Sequence, residues 1–226
     1  MADPDTGEID WYNADPRAIL PLDDSFHVPR SLARVLRSER YTIRSDTAFE
    51  EVIRACAHDR TPGNRTWISE EIIAAYTRLH EAGHAHSVEA WAPIPSPSQG
   101  EGRVGVRARD DNQTPTHPLT PSLRGRGVLV GGLYGVHIGS AFFGESMFAR
   151  PDLGGSNSSK VCLVHLMQRL RAAGFTLVDT QFHNPHLEQF GLIEIPRKEY
   201  LRRLERAVEK ECSWPFTPSP SGRGLG

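Results

Sequence analysis

Two polar side chains lie two residues apart at the end of an apolar run, a spacing suited to acyl-transfer chemistry. Asp179 and Gln181 directly follow Phe175, Leu177 and Val178. Side chains two residues apart in a strand lie on the same face of the sheet. A carboxylate and an amide there can orient and partly deprotonate an attacking amine while they hold the carbonyl that the amine attacks. Strand ends also carry polar residues for plain hydrogen bonding, so the spacing alone leaves both interpretations open.

A third polar side chain, Glu145, interrupts the aromatic segment FFGESMF at Phe142 to Phe148. A carboxylate between apolar residues either lines a pocket or lies at the end of a strand. In a pocket it would bind an amino group or the hydroxyls of a ribose. The alternative is an ion pair with a nearby cation such as Arg150.

Histidine spacing raises the question of a metal site. His80, His84 and His86 have a spacing that is possible for zinc. Gly83 interrupts the predicted helix before His84, which spoils that geometry, and the HNPH segment at 183–186 has a proline between its histidines. We therefore expect no metal.

The bulk properties limit the classes of partner. The 226 residues carry a formal net charge of −2, which argues against a protein that coats nucleic acid nonspecifically. Arg30, Arg34 and Arg37 nevertheless share one face at helical spacing, either as a local basic footprint or as a solvated helix face. No apolar run approaches the roughly 18 residues that span a bilayer, and the N-terminus is acidic and polar rather than a signal peptide. We expect no membrane partner and a cytoplasmic location.

Helix-capping signals define several of the elements that would position these residues. Thr47 and Glu50 form a Thr-x-x-Glu capping box at the start of a predicted helix. Ser69 is a suitable N-cap for a second helix, which Gly83 would end. A third helix would end at Gly174.

Strand patterns alternate with these helices. Strands are predicted at residues 41–44, 88–91, 128–136, 141–147 and 176–181. The second and third of these flank a long Pro-, Gly- and Ser-rich segment, which predicts a hairpin with an expanded tip. The resulting fold class is α/β, with a mixed, largely antiparallel sheet flanked by helices.

The same compositional shifts divide the chain into parts. Residues 93–127 are almost free of large apolar residues and cannot offset their ordering entropy, so we expect a disordered low-complexity insert. It separates an N-terminal part at 1–92 from a C-terminal part at 128–212. The tail at 213–226 has similar composition and is expected to be disordered too.

Three sequence blocks occur in an order typical of one family. They are GGLYGVHIGSAFFGESMF at Gly131 to Phe148, VDTQFHNPHLEQFG at Val178 to Gly191, and the EIPRKEY that follows. With WYNADPRAILPL, FHVPRSLARVL and TWISEEIIAAYTRLHEAGHAHSVEAW, they resemble the leucyl/phenylalanyl-tRNA–protein transferases from about Ile9 to about Tyr200, apart from the insert. This resemblance implies transfer of Leu or Phe from charged tRNA to a protein N-terminus. It also implies a fold like that of the acyl-CoA N-acyltransferases.

The resemblance assigns roles to single residues. Asp179 and Gln181 match the catalytic pair, in which the Asp assists the α-amino group and the Gln positions the ester. Glu145 matches the acid that contacts the donor aminoacyl-adenosine, and Trp67 matches the aromatic wall near the terminal adenine, where stacking tolerates any base.

The resemblance also implies a donor pocket and a tRNA surface. The donor side chain would enter an apolar pocket formed by Leu133, Met147, Leu163, Leu166, Leu170 and Val178. Arg30, Arg34 and Arg37 fall in the region that contacts tRNA, which favours the basic footprint over the solvated face.

The partners implied are Leu-tRNA or Phe-tRNA and acceptor proteins with an N-terminal Arg or Lys, which are thereby marked for degradation. The donor ester is already activated, so we expect no cofactor, because proximity and carbonyl polarisation supply most of the acceleration. A monomer is the expected state.

Two other functions remain open on the sequence. A conventional acyl-CoA N-acyltransferase would need a pyrophosphate loop of the Arg/Gln-x-x-Gly-x-Gly/Ala kind, which the sequence does not contain. An inactive tRNA-binding protein is the other alternative. It is suggested because family members carry a further N-terminal portion, with an aromatic residue that encloses the donor adenosine, before the stretch that begins here at Met1. We expect either that Met1 is an internal methionine chosen as the start, or that the chain begins here and binds its donor more weakly.

Overall fold

The computed structural model describes residues 14–58, 66–94 and 127–216, which build one seven-stranded sheet. The strands are β1 (Arg17–Leu20), β2 (Thr42–Ser45), β3 (Ala85–Ala92), β4 (Val128–Ile138), β5 (Ala141–Ala149), β6 (Leu177–Gln181) and β7 (Ile193–Ile195). The helices are α1 (Arg30–Arg37), α2 (Phe49–His58), α3 (Glu70–Glu81), α4 (Ser158–Ala172), α5 (Pro185–Glu188) and α6 (Arg197–Glu209), with a 3-10 turn at Pro151–Leu153.

The sheet order is β2-β3-β4-β5-β6-β1-β7, and every pair except β5 with β6 is antiparallel. The parallel pair is made possible because α4 crosses over between β5 and β6, as parallel strands require. The prediction of a mixed, largely antiparallel α/β sheet is therefore confirmed.

The hairpin predicted across the low-complexity segment is also present. Strands β3 and β4 pair antiparallel down to Ala92 opposite Val128. Gly127 has φ +93°, and a Cβ there would lie 2.3 Å from the carbonyl oxygen of Ala92, so only glycine fits this close approach. Most of the predicted insert and tail, at 95–126 and 217–226, lies outside the described residues.

Helices cover both faces of the sheet, and alternation along the strands separates two cores. Leu129 packs in a cluster with α2 and α3, whereas its neighbour Val130 packs with α4 and α1. A third, smaller cluster joins α6 to β1, β5, β6 and β7. In the three described ranges, none of the helices combines the length and apolar character needed to cross a bilayer.

The helix-capping predictions have different outcomes. The Ser69 hydroxyl accepts a hydrogen bond from the N–H of Ile72, and α3 is followed by Gly83 at φ +80°, as predicted. The Thr47 hydroxyl, in contrast, donates to Glu89 instead of completing a box with Glu50. A buried carboxylate on β3 thus takes the place of the local cap.

Candidate active site

Strands β5 and β6 separate after a short parallel ladder, and this separation opens the candidate site. The ladder pairs Ala141 with Leu177, Phe142 with Val178, and Phe143 with Asp179. Beyond it, β5 continues to Ala149 beside β4, whereas β6 turns toward β1. Glu145 of β5 therefore lies at the beginning of a wedge between the two strands.

A β-bulge in β6 sets the direction of Gln181. Opposite β1, Ile19 pairs with Asp179 but the next residue, Ala18, pairs with Gln181, so Thr180 is an extra residue. Gln181 has φ +67°, a left-handed conformation that a non-glycine residue rarely adopts. Bulges re-aim side chains, and here the Gln181 amide is directed across the wedge.

Asp179 is fully buried, and both of its carboxylate oxygens already accept hydrogen bonds. Arg17 donates from Nε to Oδ1 at 3.0 Å and from Nη2 to Oδ2 at 2.6 Å. The hydroxyl of Tyr200 donates to Oδ2 at 2.8 Å, and the backbone N–H of Gln181 donates to Oδ1 at 2.8 Å. Asp179 is thus bonded to the backbone of Gln181, and its own oxygens face protein donors.

Glu145 and Gln181 meet across the wedge. The Gln181 amide donates from Nε2 to Oε2 of Glu145 at 3.0 Å, and the hydroxyl of Tyr76 on α3 also bonds to Glu145. Burial, ahead of these bonds and nearby charges, raises the pKa of Glu145. Burial and then the Glu145 carboxylate raise the pKa of Tyr76, so the phenol remains a donor at neutral pH.

A cavity of about 750 Å³ adjoins these residues. Five of the six apolar residues predicted for the donor pocket line it: Leu133, Met147, Leu163, Leu166 and Val178. Leu170 does not line it and is fully buried in the same apolar core cluster. Glu145 lies in the same wall, so an apolar pocket and a carboxylate share one cavity.

Trp67 lies apart from the cavity lining. Its partly buried ring packs against the apolar cluster formed by α2, α3 and strands β3, β4 and β5. The structure therefore brings together Asp179, Gln181 and Glu145, and it leaves Trp67 at the periphery.

The predicted tRNA residues lie on one helix. Arg30, Arg34 and Arg37 are exposed on α1, and its opposite face packs Leu32, Val35 and Leu36 into the core. The segment Arg30–Arg37 contains no acidic residue, so this basic face carries no local counter-charge along the helix.

Two of the histidines whose spacing is possible for zinc, His80 and His86, bond to protein groups, and Asp46 lies within 3.9 Å of both. The Nδ1 of His80 contacts the carbonyl of Ala85 at 2.8 Å, and the Nδ1 of His86 contacts Asp46 at 2.8 Å. Within the part of the chain that the structure describes, no group of three or more His, Cys, Asp or Glu side chains could hold a metal ion.

Three residues of this site were not predicted as site residues. Tyr76 and Tyr200 lie among apolar residues of α3 and α6, and their hydroxyls gave no separate signal in the sequence. Arg17 belongs to a four-residue strand whose partner lies more than 150 residues away in the sequence, so no local pattern could reveal its pairing with Asp179.

Comparison with known proteins gives consistent matches. The chain matches the family described as leucyl/phenylalanyl-tRNA protein transferase over residues 19–95 and 122–205, more than half of its length. A protein of that name from Akkermansia muciniphila is 45% identical over 93% of this chain and 90% of its own length. The corresponding protein from Gloeobacter violaceus is 46% identical over 95% of this chain and 89% of its own length.

Solved structures were matched as well. One of them is AAC(6')-Iy in complex with a bisubstrate analogue that contains CoA, which covers 82% of this chain and 99% of that chain at 12% identity, with a TM-score of 0.35. A TM-score this low does not establish a shared fold, so the expected likeness to the acyl-CoA N-acyltransferases stays a prediction. The extent of the sequence matches is decisive: this chain belongs to the leucyl/phenylalanyl-tRNA–protein transferase family.

Proposed function

We propose that this protein transfers leucine or phenylalanine from aminoacyl-tRNA to the N-terminal Arg or Lys of an acceptor protein, which is thereby marked for degradation. The proposal rests on family membership and on one observation in the site. The Gln181 amide and the Glu145 carboxylate meet at 3.0 Å beside an apolar cavity, where β5 and β6 separate. This arrangement offers a cation-binding group, a carbonyl-binding group and a side-chain pocket in one place.

The reaction needs little acid or base strength from the protein. The α-amino group of a free N-terminus has a pKa of about 8, so a useful fraction is neutral at physiological pH. Its nitrogen attacks the ester carbonyl, the new C–N bond forms, and the C–O bond to the tRNA ribose breaks. The proton lost by the amine leaves with the ribose oxygen. The site has to hold the two reactants and stabilise the charge on the carbonyl oxygen.

Gln181 is suited to the carbonyl. Its Nε2 carries two N–H donors, and one is used toward Glu145, so the second can donate to the ester oxygen as negative charge develops there. Asp179 would assist indirectly, because its carboxylate holds the backbone N–H of Gln181.

Glu145 and the cavity are suited to the donor. A carboxylate at the wall can bind the α-amino group of the aminoacyl ester, while the ester's side chain occupies the apolar cavity lined by Met147, Leu163 and Leu166. An unbranched or γ-branched side chain gains more in such a pocket than a β-branched one. The expected discrimination is only about 1–3 kcal/mol.

The exposed arginines of α1 would contact the tRNA. Phosphate contacts from Arg30, Arg34 and Arg37 position a nucleic acid without reading its sequence, which suits an enzyme that uses more than one tRNA. We assign Trp67 to adenine stacking on the resemblance alone. We also propose that the enzyme acts as a monomer in the cytoplasm, where charged tRNA is available.

The test is a panel of donors and acceptors. Radiolabelled Leu-tRNA or Phe-tRNA is mixed with peptides that begin with Arg, Lys, Ala or acetylated Arg, and label in the peptide is measured. Transfer to the free Arg and Lys peptides alone supports the proposal. Transfer only from an acyl-CoA would support the alternative acyltransferase, and tRNA binding without transfer would indicate an inactive protein.

A further inference from the structure

We propose that Arg17 and Tyr200 are positioning residues of the transfer reaction, which act by holding Asp179 so that it fixes the backbone of Gln181. The inference rests on the proposed function and adds two residues to it. It follows from a continuous set of contacts between three elements that are remote in sequence.

The first step is the environment of Asp179. Its carboxylate is 0% exposed, and burial of a carboxylate is costly unless the group is paired and hydrogen-bonded. Arg17 supplies the charge through a bidentate contact, with Nη2 at 2.6 Å and Nε at 3.0 Å. Bidentate pairs of this kind fix orientation as well as charge.

The second step is the role of Tyr200. Its hydroxyl donates to Oδ2 of Asp179 at 2.8 Å, and its ring lies 5.0 Å from the guanidinium carbon of Arg17. One side chain thus contacts both members of the ion pair. Burial and then the Asp179 charge raise the pKa of Tyr200, so the phenol keeps its proton and remains a donor.

The third step connects Gln181 to this clamp, which is formed by Arg17 and Tyr200 around the Asp179 carboxylate. With Arg17 and Tyr200 in place, Oδ1 of Asp179 accepts from the backbone N–H of Gln181 at 2.8 Å. That bond supports the left-handed φ of +67° at Gln181, a conformation that costs free energy and needs support from its surroundings. The same conformation directs the Gln181 amide toward Glu145.

The fold does not need the clamp to hold β1 against α6. Arg17 lies in β1 and Tyr200 in α6, and both elements already pack through Ile19, Ile195 and Leu204 in an apolar cluster. The polar contacts of Arg17 and Tyr200 converge on the carboxylate that accepts from the backbone N–H of Gln181. Gln181 lies at the β-bulge beside the wedge, and this position links the clamp to the candidate site.

The test uses three variants of graded severity. Tyr200→Phe removes one hydroxyl. Arg17→Lys keeps the positive charge but loses the bidentate geometry, and Arg17→Ala removes the charge and the geometry together. We expect kcat for transfer from Leu-tRNA to fall in that order, by about 100-fold for Arg17→Ala, because a small misplacement of a reacting group costs about that much. KM for Leu-tRNA should stay within about threefold of the parent.

A double-mutant cycle tests whether Arg17 acts through Asp179. If Arg17 acts through Asp179, then Asp179→Asn combined with Arg17→Ala should lose little more activity than Asp179→Asn alone. Guanidinium at millimolar concentration should restore part of kcat to Arg17→Ala, since the side chain is 14% exposed, whereas urea at the same concentration should not. Arg78→Ala, at an exposed position on α3, is the matched control for loss of an arginine.

The outcomes are distinct. If the parent protein shows no transfer, the proposed function fails before this inference is reached. If the parent is active and the folded variants keep the parent kcat, or if the losses of Arg17→Ala and Asp179→Asn simply add, the positioning role is refuted.

Discussion

The buried environment of Glu145 leads to a prediction about how transfer activity depends on pH. Burial raises the pKa of its carboxyl above the ordinary value of 4.5, so the charged form is lost at higher pH than for an exposed glutamate. If the charged form binds the donor α-amino group, kcat/KM for Leu-tRNA should fall as pH drops through that raised pKa. In Glu145→Gln this acid limb should be absent and the rate low throughout.

The same variant gives an independent readout of stability. Because the folded state binds the proton of Glu145 more tightly than the unfolded chain, its contribution to stability is complete below pH 4.5 and is lost as pH rises through the folded-state pKa. Glu145→Gln stays neutral and avoids that loss. Its Tm should therefore rise relative to the parent as pH increases, and a constant difference across pH would contradict the assignment. Glu205→Gln, at an exposed position, is the control.

The limits of prediction at this scale are clear from β6. Asp179 and Gln181 were predicted as a pair because side chains two residues apart share a face. The bulge at Thr180 and the positive φ of Gln181 alter that arrangement. The alternation rule could identify the two residues, but it could not show that one is bonded to Arg17 while the other faces Glu145.

At the scale of elements, the buried Glu89 holds the start of α2 against β3. Its carboxylate accepts from the backbone N–H groups of Thr47 and Ala48, each at 2.8 Å, from Ser87 at 2.9 Å and from the indole of Trp91 at 3.1 Å. Glu89→Gln should lower the free energy of unfolding by about 2–4 kcal/mol, because an amide nitrogen would face these donors. Urea unfolding measures this loss.

Glu81→Gln provides the comparison for that prediction. Glu81 lies exposed at the end of α3, so its substitution should change the free energy of unfolding by less than about 0.5 kcal/mol. Equal effects at the two positions would show that Glu89 does not have the capping role described.

Helix α1 makes a prediction about tRNA binding. The face that carries Arg30, Arg34 and Arg37 is proposed to contact phosphates. Each contact contributes about 0.7–0.9 to the slope of log K against log salt. Replacing all three by Gln should therefore weaken tRNA binding and reduce the magnitude of the slope by about two to three. Filter binding over a range of salt concentrations measures both quantities.

An equal change of charge on another helix controls for that experiment. Substitution of Arg202, Arg203 and Arg206 by Gln removes the same charge from α6, where two of the three arginines pair with Glu199. A salt slope that falls equally in both variants would argue against a specific α1 surface.

Elements differed in how far the sequence predicted them. The Ser69 cap and the β3–β4 hairpin depend on local signals, and both are present. Strands β1 and β7 have four and three residues and are held by partners remote in sequence, so no periodicity could reveal them. The prediction of a capping box at Thr47 was wrong, because the Thr47 hydroxyl donates to Glu89.

At the scale of the whole molecule, the low-complexity segment should be dispensable for folding. The strands that flank it meet at Ala92 and Val128, so residues 95–126 can be replaced by Asn-Gly with Gly127 retained. Loop-closure entropy falls by about 0.6 kcal/mol for each halving of loop length, which predicts a gain of about 1–2 kcal/mol and a Tm higher by several degrees.

A scrambled segment of equal length serves as the comparison for that deletion. It should leave both Tm and transfer activity unchanged. Loss of cooperative melting in the shortened chain would show that the segment contributes to the core.

Single-turnover transfer of leucine from Leu-tRNA to a peptide that begins with Arg tests the proposed function and the role of Gln181 together. The parent is compared with Gln181→Ala and with Gln189→Ala, a second glutamine just beyond the site. We predict transfer by the parent and by Gln189→Ala, and a rate lower by about 100- to 1000-fold for Gln181→Ala, as for loss of a donor to a developing oxyanion. Equal rates for the parent and Gln181→Ala would show that Gln181 does not bind the ester carbonyl during transfer.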